Sequence, residues 1–284
     1  MLRIAGARVA RSGAAWCALG RLAGAQVAGI GVDPHMVVLT EARPSGEITV
    51  LNPHARRAEF SVDLRFGFAT TDSNGKLMVQ LADSADSASA VAFVTPYPRR
   101  FALGPGATRI VRLLAKPPRD LPGGEYWARL TVHARDDAAP SGEDADSLAG
   151  TVRFSMESAT VLPVFFRKGD LSTGVNVSSV EAIASTDAIH VQASLRREGN
   201  AAFIGVAHIT VRDTTGRTIA TADRPLAVYR SMRPRWSIPI PAASCARSCS
   251  VTIQLSTRRH DVPRNLLLQP ESLDTVVTMV RNPP

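Results

Sequence analysis

The two cysteines in the C-terminal part of the chain are the residues whose spacing most directly predicts chemistry. Cys245 and Cys249 are separated by three residues, in a chain of 284 residues with only three cysteines. A short turn can bring two such Cβ atoms to bonding distance. A zinc site is the alternative, but zinc normally takes three or four protein ligands, and His260 is the one further candidate close in sequence. The spacing favours a disulfide, which fits an oxidising compartment such as a periplasm.

The six histidines show no spacing that is typical of metal ligands or of a catalytic site. They are His35, His54, His133, His190, His208 and His260. The sequence also contains no G-x-S-x-G, G-x-x-x-x-G-K-[ST] or H-E-x-x-H motif. We therefore expect no enzyme activity, no cofactor and no metal. A hydrolase or metal enzyme on a β scaffold is the weakest reading, because only generic His and Asp residues support it.

Composition excludes several other classes of protein. The chain has 45% hydrophobic residues, too many for a disordered protein, and it has no apolar run long enough to cross a membrane. It carries 33 basic and 25 acidic residues, a formal charge of +8, but no block of Lys and Arg. Four of the arginines precede the first acidic residue, Asp33. These features predict neither nucleic-acid binding nor integral membrane insertion.

Residues 1–25 have the features of a secretory signal peptide. Basic residues precede the short apolar segment Ala14–Leu19, and Ala23-Gly24-Ala25 has the small-x-small form of a cleavage site. Arg21 interrupts the apolar segment, so a misassigned start codon or a disordered leader is the alternative. With the cysteine pair, this segment predicts a periplasmic protein.

From Val32 onward, apolar and polar residues mostly alternate, which is typical of β-strands. The alternating runs are short and are separated by turn signals such as Asp72–Gly75 and Asp213–Gly216. Two sets of about seven strands predict an all-β protein of two tandem immunoglobulin-like β-sandwiches. We expect an N-terminal domain at 26–167 and a C-terminal domain at 168–284.

Several motifs, taken in order, resemble those of the PapD-like periplasmic pilus (fimbrial) chaperones. They are Phe101-x-Leu103-x-Pro105-Gly106, Leu121-Pro122-x-Gly124-Glu125-Tyr126-x-x-x-Leu130, Leu162–Arg167, and Leu195-x-x-x-Gly199-Asn200 followed by Asp213-x-x-Gly216. The resemblance covers nearly all of residues 32–284 and identifies the chain as an atypical member. It implies a boomerang of two immunoglobulin-like domains that binds unfolded or incomplete pilin-like subunits and passes them to an outer-membrane usher.

The resemblance also implies how a subunit is bound, namely by β-augmentation, in which the chaperone adds one of its strands to an incomplete sheet. Thr151–Arg167 occupies the position of the donated strand, with Val152, Phe154 and Met156 as groove-filling side chains and Ser158 in the place of another. The same alternation is typical of any half-buried core strand. The alternative function is therefore an interaction or structural protein that has kept the two sandwiches and lost subunit capture.

Two further site predictions come from the resemblance. Glu125 and Arg167 correspond to partners in a salt bridge between the domains. Two basic residues that bind the subunit's C-terminal carboxylate in the family fall near Met36 and Pro163, neither of which is charged. The usual carboxylate anchor is therefore expected to be missing, and the spacing of the nearby basic residues nominates no replacement.

Overall fold

The computed structural model describes residues 29–82, 86–136, 157–241, 244–245, 248–269 and 275–280. In these residues the chain forms β-strands and one short 3-10 helix, Arg264–Leu266. Ten strands form the first sandwich: β1 Gly31–Asp33, β2 Val37–Thr40, β3 Ser45–Leu51, β4 Ala58–Thr71, β5 Leu77–Ala82, β6 Val94–Tyr97, β7 Arg100–Leu103, β8 Thr108–Ala115, β9 Gly124–Asp136 and β10 Glu157–Lys168. Eight strands form the second: β11 Thr173–Ala184, β12 Ala188–Gly199, β13 Phe203–Asp213, β14 Thr218–Val228, β15 Ser231–Met232, β16 Arg235–Pro239, β17 Cys249–Ser256 and β18 Thr275–Met279. The predicted all-β class with two immunoglobulin-like sandwiches is confirmed.

The first sandwich packs a four-stranded sheet, β1-β3-β8-β6, against a sheet of order β2-β10-β9-β4-β5 in which β7 also pairs with β4. Its core consists of side chains from both sheets, and Leu39, Ile48 and Leu130 are completely buried there. The Tyr126 hydroxyl donates a hydrogen bond of 2.8 Å to the carbonyl of Pro122. This tyrosine corner is a recurrent feature of immunoglobulin-like sandwiches.

The N-terminal strand of this sandwich is divided between the two sheets. β1 pairs with β3 in one sheet, and β2 pairs with β10 in the other, in the parallel direction. Because β2 is short, it pairs with only Val164–Arg167 of β10. The opposite edge of β10 pairs with β9 along the whole strand, from Glu157 to Lys168.

The second sandwich packs a sheet of β11, β12, β15 and β16 against a sheet of order β14-β13-β17-β18. Cys249, the first residue of β17, forms a disulfide with Cys245, and both cysteines are buried in the core of this sandwich.

The alternation of the sequence did not predict β11, and it predicted only the last part of β14. In β11 the register shifts at a bulge between Val177 and Ser179, which moves the later side chains to the other face and interrupts the period of two. β14 lies at the edge of its sheet, and most of its side chains are exposed or half-buried. It therefore has few buried apolar positions that could mark it as a strand.

Candidate functional site

The edge of β10 is the first element of the candidate site. Its C-terminal part, Val164–Arg167, pairs with β9 on one side and β2 on the other. Its N-terminal part, Glu157–Pro163, pairs with β9 and with no other strand among the described residues. The backbone of that part therefore has one edge open to a further strand. Pro163, which has no amide hydrogen, lies where the open part ends.

The side chains of β10 alternate between the sandwich core and the outer face of the sheet. Leu162, Val164 and Phe166 are buried in the core, and Ser158 lies on the same face, half-buried and opposite Ala134 of β9. Of the four residues predicted to fill a subunit groove, only Ser158 is within the described part of the chain. The other three, Val152, Phe154 and Met156, lie outside it.

A buried ion pair lies on the outer face at the other end of β10. Arg167 and Glu125 are directly opposite each other on β10 and β9. The Arg167 Nε atom lies 2.8 Å from Glu125 Oε2, and the two side chains are 9% and 0% exposed. Since breaking such a pair leaves an unpaired buried charge, both residues strongly constrain the local structure.

Contacts with the second sandwich complete the hydrogen bonding of this ion pair. The backbone amide of Ala202 and the indole of Trp127 both donate to Glu125 Oε1, at 3.0 and 3.1 Å. Arg167 Nη1 donates to the carbonyl of Leu266 at 2.8 Å. The pair therefore binds the first sandwich to two separate segments of the second.

Aromatic side chains surround the ion pair and fill the space between the sandwiches. Tyr229 of the second sandwich stacks on Phe165 with a centroid distance of 6.0 Å and contacts Trp127 edge-on at 5.0 Å. Burial raises the pKa of the Tyr229 hydroxyl to about 12. Met36 is buried in the same cluster, so this predicted anchor position is part of an apolar contact.

Several arginines lie on the faces of these rings. Arg230 lies 4.7 Å from the centroid of Phe68 and forms an ion pair of 2.6 Å with Asp86. Arg197 lies 5.6 Å from the centroid of Trp127. Burial lowers the pKa of the Arg197 guanidinium, and the positive charge of Arg230 also lowers it, whereas Glu125 opposes the change. The cleft between the sandwiches is thus lined by cations and aromatic rings.

Arg129 is the residue of this cleft that sequence reasoning missed. It lies on β9 directly opposite Pro163, is 6% exposed, and lies 5.1 Å from the centroid of Tyr229. Its Nε atom is buried and has no hydrogen-bond partner among the described residues. A buried guanidinium thus lies opposite Pro163, the position at which the pilus chaperones that the sequence resembles have a basic residue. The sequence did offer one indication of its position: Arg129 follows Glu125 and Trp127 at intervals of two residues, so all three side chains lie on the same face of β9.

The described residues contain no group of three or more His, Cys, Asp and Glu side chains arranged to hold a metal ion. His133 lies on β9 opposite Ala159, and its ring nitrogens lie 3.6 Å from Asp63 and 3.5 Å from Glu157. In the part of the chain that the structure describes, no helix has the length and apolar character needed to span a membrane.

No protein-family model matches the chain, and no curated protein matches it either. Solved structures do show similarity. A chain of the CsuC–CsuE chaperone–tip adhesion subunit complex from the archaic chaperone-usher Csu pili of Acinetobacter baumannii is 11% identical, covers 90% of this chain and 100% of its own, and has a TM-score of 0.44. The Pseudomonas aeruginosa CupB2 chaperone is 12% identical, covers 87% and 98%, and has a TM-score of 0.39. The E. coli chaperone DraB is 12% identical, covers 81% and 91%, and has a TM-score of 0.40.

Proposed function

We propose that this protein is a periplasmic chaperone, without enzyme activity, that binds pilin-like or similar β-rich secreted subunits by donating a β-strand and so prevents their aggregation before assembly. The observation that carries the proposal is the open edge of β10 at Glu157–Pro163, which pairs with no second strand among the described residues. The sequence motifs that resemble pilus chaperones support it, since they place the donated strand in the same segment.

The proposed donor surface extends from the open edge into residues 151–156. Val152, Phe154 and Met156 are the side chains that would enter the subunit's groove, followed by Ser158. A net backbone hydrogen bond contributes about 0.5–1.5 kcal/mol, whereas a fully buried Phe or Met contributes about 1.5–3 kcal/mol. The apolar side chains therefore dominate the affinity, and Ser158 contributes least among the four.

Arg129 is the residue that we assign to the subunit's C-terminal carboxylate. A buried guanidinium nitrogen without a hydrogen-bond partner is costly, and a carboxylate that accepts its hydrogen bond offsets much of that cost. Arg129 has a buried Nε atom without a partner among the described residues and lies opposite Pro163, where β2 stops covering β10. A carboxylate bound there would fix the position of the subunit along the open edge.

The remaining predicted features have structural roles in this proposal. Glu125 and Arg167 hold the N-terminal domain, 26–167, against the C-terminal domain, 168–284. The Cys245–Cys249 disulfide stabilises the latter in an oxidising periplasm. Residues 1–25 direct export, and an outer-membrane usher is the expected acceptor of the bound subunit.

The proposal is tested by co-expressing the full chain with the pilin-like subunit encoded nearest to its gene. The Phe154→Asp and Met156→Asp variants should each lose most of the co-purified subunit, because a carboxylate cannot enter an apolar groove without a large desolvation cost. Ile110→Asp is the matched control. Ile110 is 49% exposed on β8, in the other sheet of the same sandwich, and its substitution should leave capture unchanged.

Unchanged capture by both the Phe154→Asp and the Met156→Asp variant would contradict strand donation. In that case the alternative gains support, namely a two-domain immunoglobulin-like interaction or structural protein of the periplasm that has lost subunit capture.

A further inference from the structure

A cavity of about 1000 Å³ lies on the second sandwich, and none of its lining residues belongs to β10. One wall is formed by strands β13 and β17 and includes His208 and Gln254, and the other is formed by the segment 257–269 that follows β17. The side chains of Arg258, Arg259 and Arg264 line this second wall. No lining residue in the described part of the chain is acidic.

The cationic groups of the cavity are only partly neutralised. Arg259 Nε donates to Asp261 at 2.8 Å, and this hydrogen bond lowers the pKa of the Asp261 carboxyl. His208 Nδ1 lies 2.6 Å from Asp223. Arg258 and Arg264, in contrast, are exposed, and neither has a carboxylate partner among the described residues. Among the described residues, two guanidinium groups of the cavity, those of Arg258 and Arg264, therefore have no carboxylate partner.

We infer that this cavity binds a phosphate group. Guanidinium groups bind phosphate oxygens in bidentate geometry, and two of them match the charge of a phosphate dianion. A monocarboxylate would leave one of the two uncompensated. The hydroxyl of Ser256 and the amides of Gln254 and Gln269 line the same space and supply neutral hydrogen-bond donors for the remaining oxygens.

The cavity lies next to the contact between the two sandwiches, so a bound ligand would also affect that contact. The cavity's second wall continues into Val262, Leu266 and Leu267, which pack in the cluster between the sandwiches. The carbonyl of Leu266 accepts the hydrogen bond from Arg167. A phosphate that bridges β13 and β17 to this segment would therefore hold in place the part of the second sandwich that contacts the ion pair.

The experiment is isothermal titration calorimetry of the full chain with inorganic phosphate, and with acetate at matched ionic strength. Phosphate should bind and acetate should bind at least tenfold more weakly. Each of Arg258→Gln and Arg264→Gln should weaken phosphate binding about tenfold, the effect expected for loss of one charge-assisted hydrogen bond. Arg212→Gln is the matched control, because Arg212 is an exposed arginine of β13 outside the cavity.

Absence of phosphate binding, equal binding of acetate, or unchanged binding by the Arg258→Gln/Arg264→Gln double variant would each overturn the inference. A second arm identifies the source of the phosphate. If vesicles containing phosphatidic acid, whose phosphomonoester headgroup can carry two charges, bind the chain and inorganic phosphate competes with them, the ligand is a lipid headgroup; if they do not bind while inorganic phosphate does, it is a free phosphate compound. Subunit capture by the double variant should remain intact, so failure here is distinguishable from failure of the proposed function.

Discussion

The two halves of β10 have the same backbone conformation and very different surroundings. Val164, Phe165 and Phe166 are completely buried and lie between two paired strands. Glu157–Pro163 pair on one side only among the described residues, and Val161 is 42% exposed. The buried half stabilises the contact between the sandwiches, whereas the open half has unused hydrogen-bonding capacity. One strand can therefore be structural at one end and available for pairing at the other.

Two arginines on the outer face of the sheet, Arg167 and Arg129, differ in the same way in how completely their hydrogen bonds are satisfied. Arg167 has a carboxylate and a carbonyl as partners. Arg129 lies beside the point where the open half begins, and its Nε atom has no partner among the described residues. The cation in the structural half is satisfied within the fold. In the proposed function, a subunit carboxylate would accept the missing hydrogen bond from Arg129.

The largest expected effect on stability comes from disrupting the buried ion pair at the C-terminal end of β10. Glu125→Gln or Arg167→Met should each lower the free energy of unfolding by about 3–5 kcal/mol, because each leaves one buried charge unpaired. Chemical denaturation measures this. Arg112→Gln is the matched control, since Arg112 and Glu47 are 79% and 60% exposed at a separation of 4.0 Å, and it should cost under about 1 kcal/mol. Equal effects of the buried and exposed substitutions would contradict the comparison.

Truncating one side chain in each half of β10 compares directly how much the two halves contribute to stability. Phe166→Ala removes a fully buried ring from the core and should cost about 3–5 kcal/mol in unfolding free energy. Val161→Ala removes two methyl groups from an exposed position and should cost under about 1 kcal/mol. Thermal and denaturant unfolding of the two variants would show whether β10 is divided as the structure indicates. Similar losses for both variants would mean that it is not.

Tyr229, the buried tyrosine of the second sandwich that stacks on Phe165 in the buried half of β10, predicts a response to alkaline pH. Burial raises its pKa to about 12 in the folded protein, from the ordinary tyrosine value of about 10. The stabilising effect is therefore complete below pH 10 and is lost as the pH rises towards 12, with a total of about 2–3 kcal/mol. Unfolding measured from pH 9 to 11.5 should show this decline, and Tyr229→Phe should reduce it. An equal decline in the Tyr229→Phe variant would assign the effect to other groups.

The smallest expected effect is a gain in subunit affinity from a substitution in the open half of β10. Ser158→Leu adds an apolar side chain at the one proposed donor position that lies in the described part of β10, and it should strengthen subunit binding roughly tenfold, or about 1.4 kcal/mol. Surface plasmon resonance with the purified subunit measures this. Ala159→Leu, which alternates to the outer face, is the control and should change the affinity less. A larger gain from Ala159→Leu would place the groove-filling face on the wrong side of the strand.

Local patterns predicted those parts of the fold in which burial follows the alternation of residues. In β9, Tyr126, Ala128 and Leu130 all face the core, as their spacing indicates. The bulge in β11 hid a strand because the period changed inside it. The Glu125–Arg167 prediction came from the resemblance to a family, since residues so far apart in sequence carry no local sign that they are partners.

Arg129 could not be predicted as a site residue because its importance depends on three elements that are distant in sequence. Its register opposite Pro163, the short reach of β2 along β10, and the ring of Tyr229 over its guanidinium together place a buried cation on the strand next to β10, level with the residue at which pairing with β2 stops. None of these relations is visible in the residues that flank Arg129.

The sequence alone determined the strand-forming alternation, the turns between strands and the closeness of Cys245 to Cys249, because these depend on residues within a few positions of each other. Only the tertiary structure decided which part of β10 pairs with a single strand among the described residues, and that the buried Arg129 Nε atom has no hydrogen-bond partner there. Both depend on how separate strands and the two sandwiches meet, and strand pairing and burial are set by contacts between residues that are far apart along the chain.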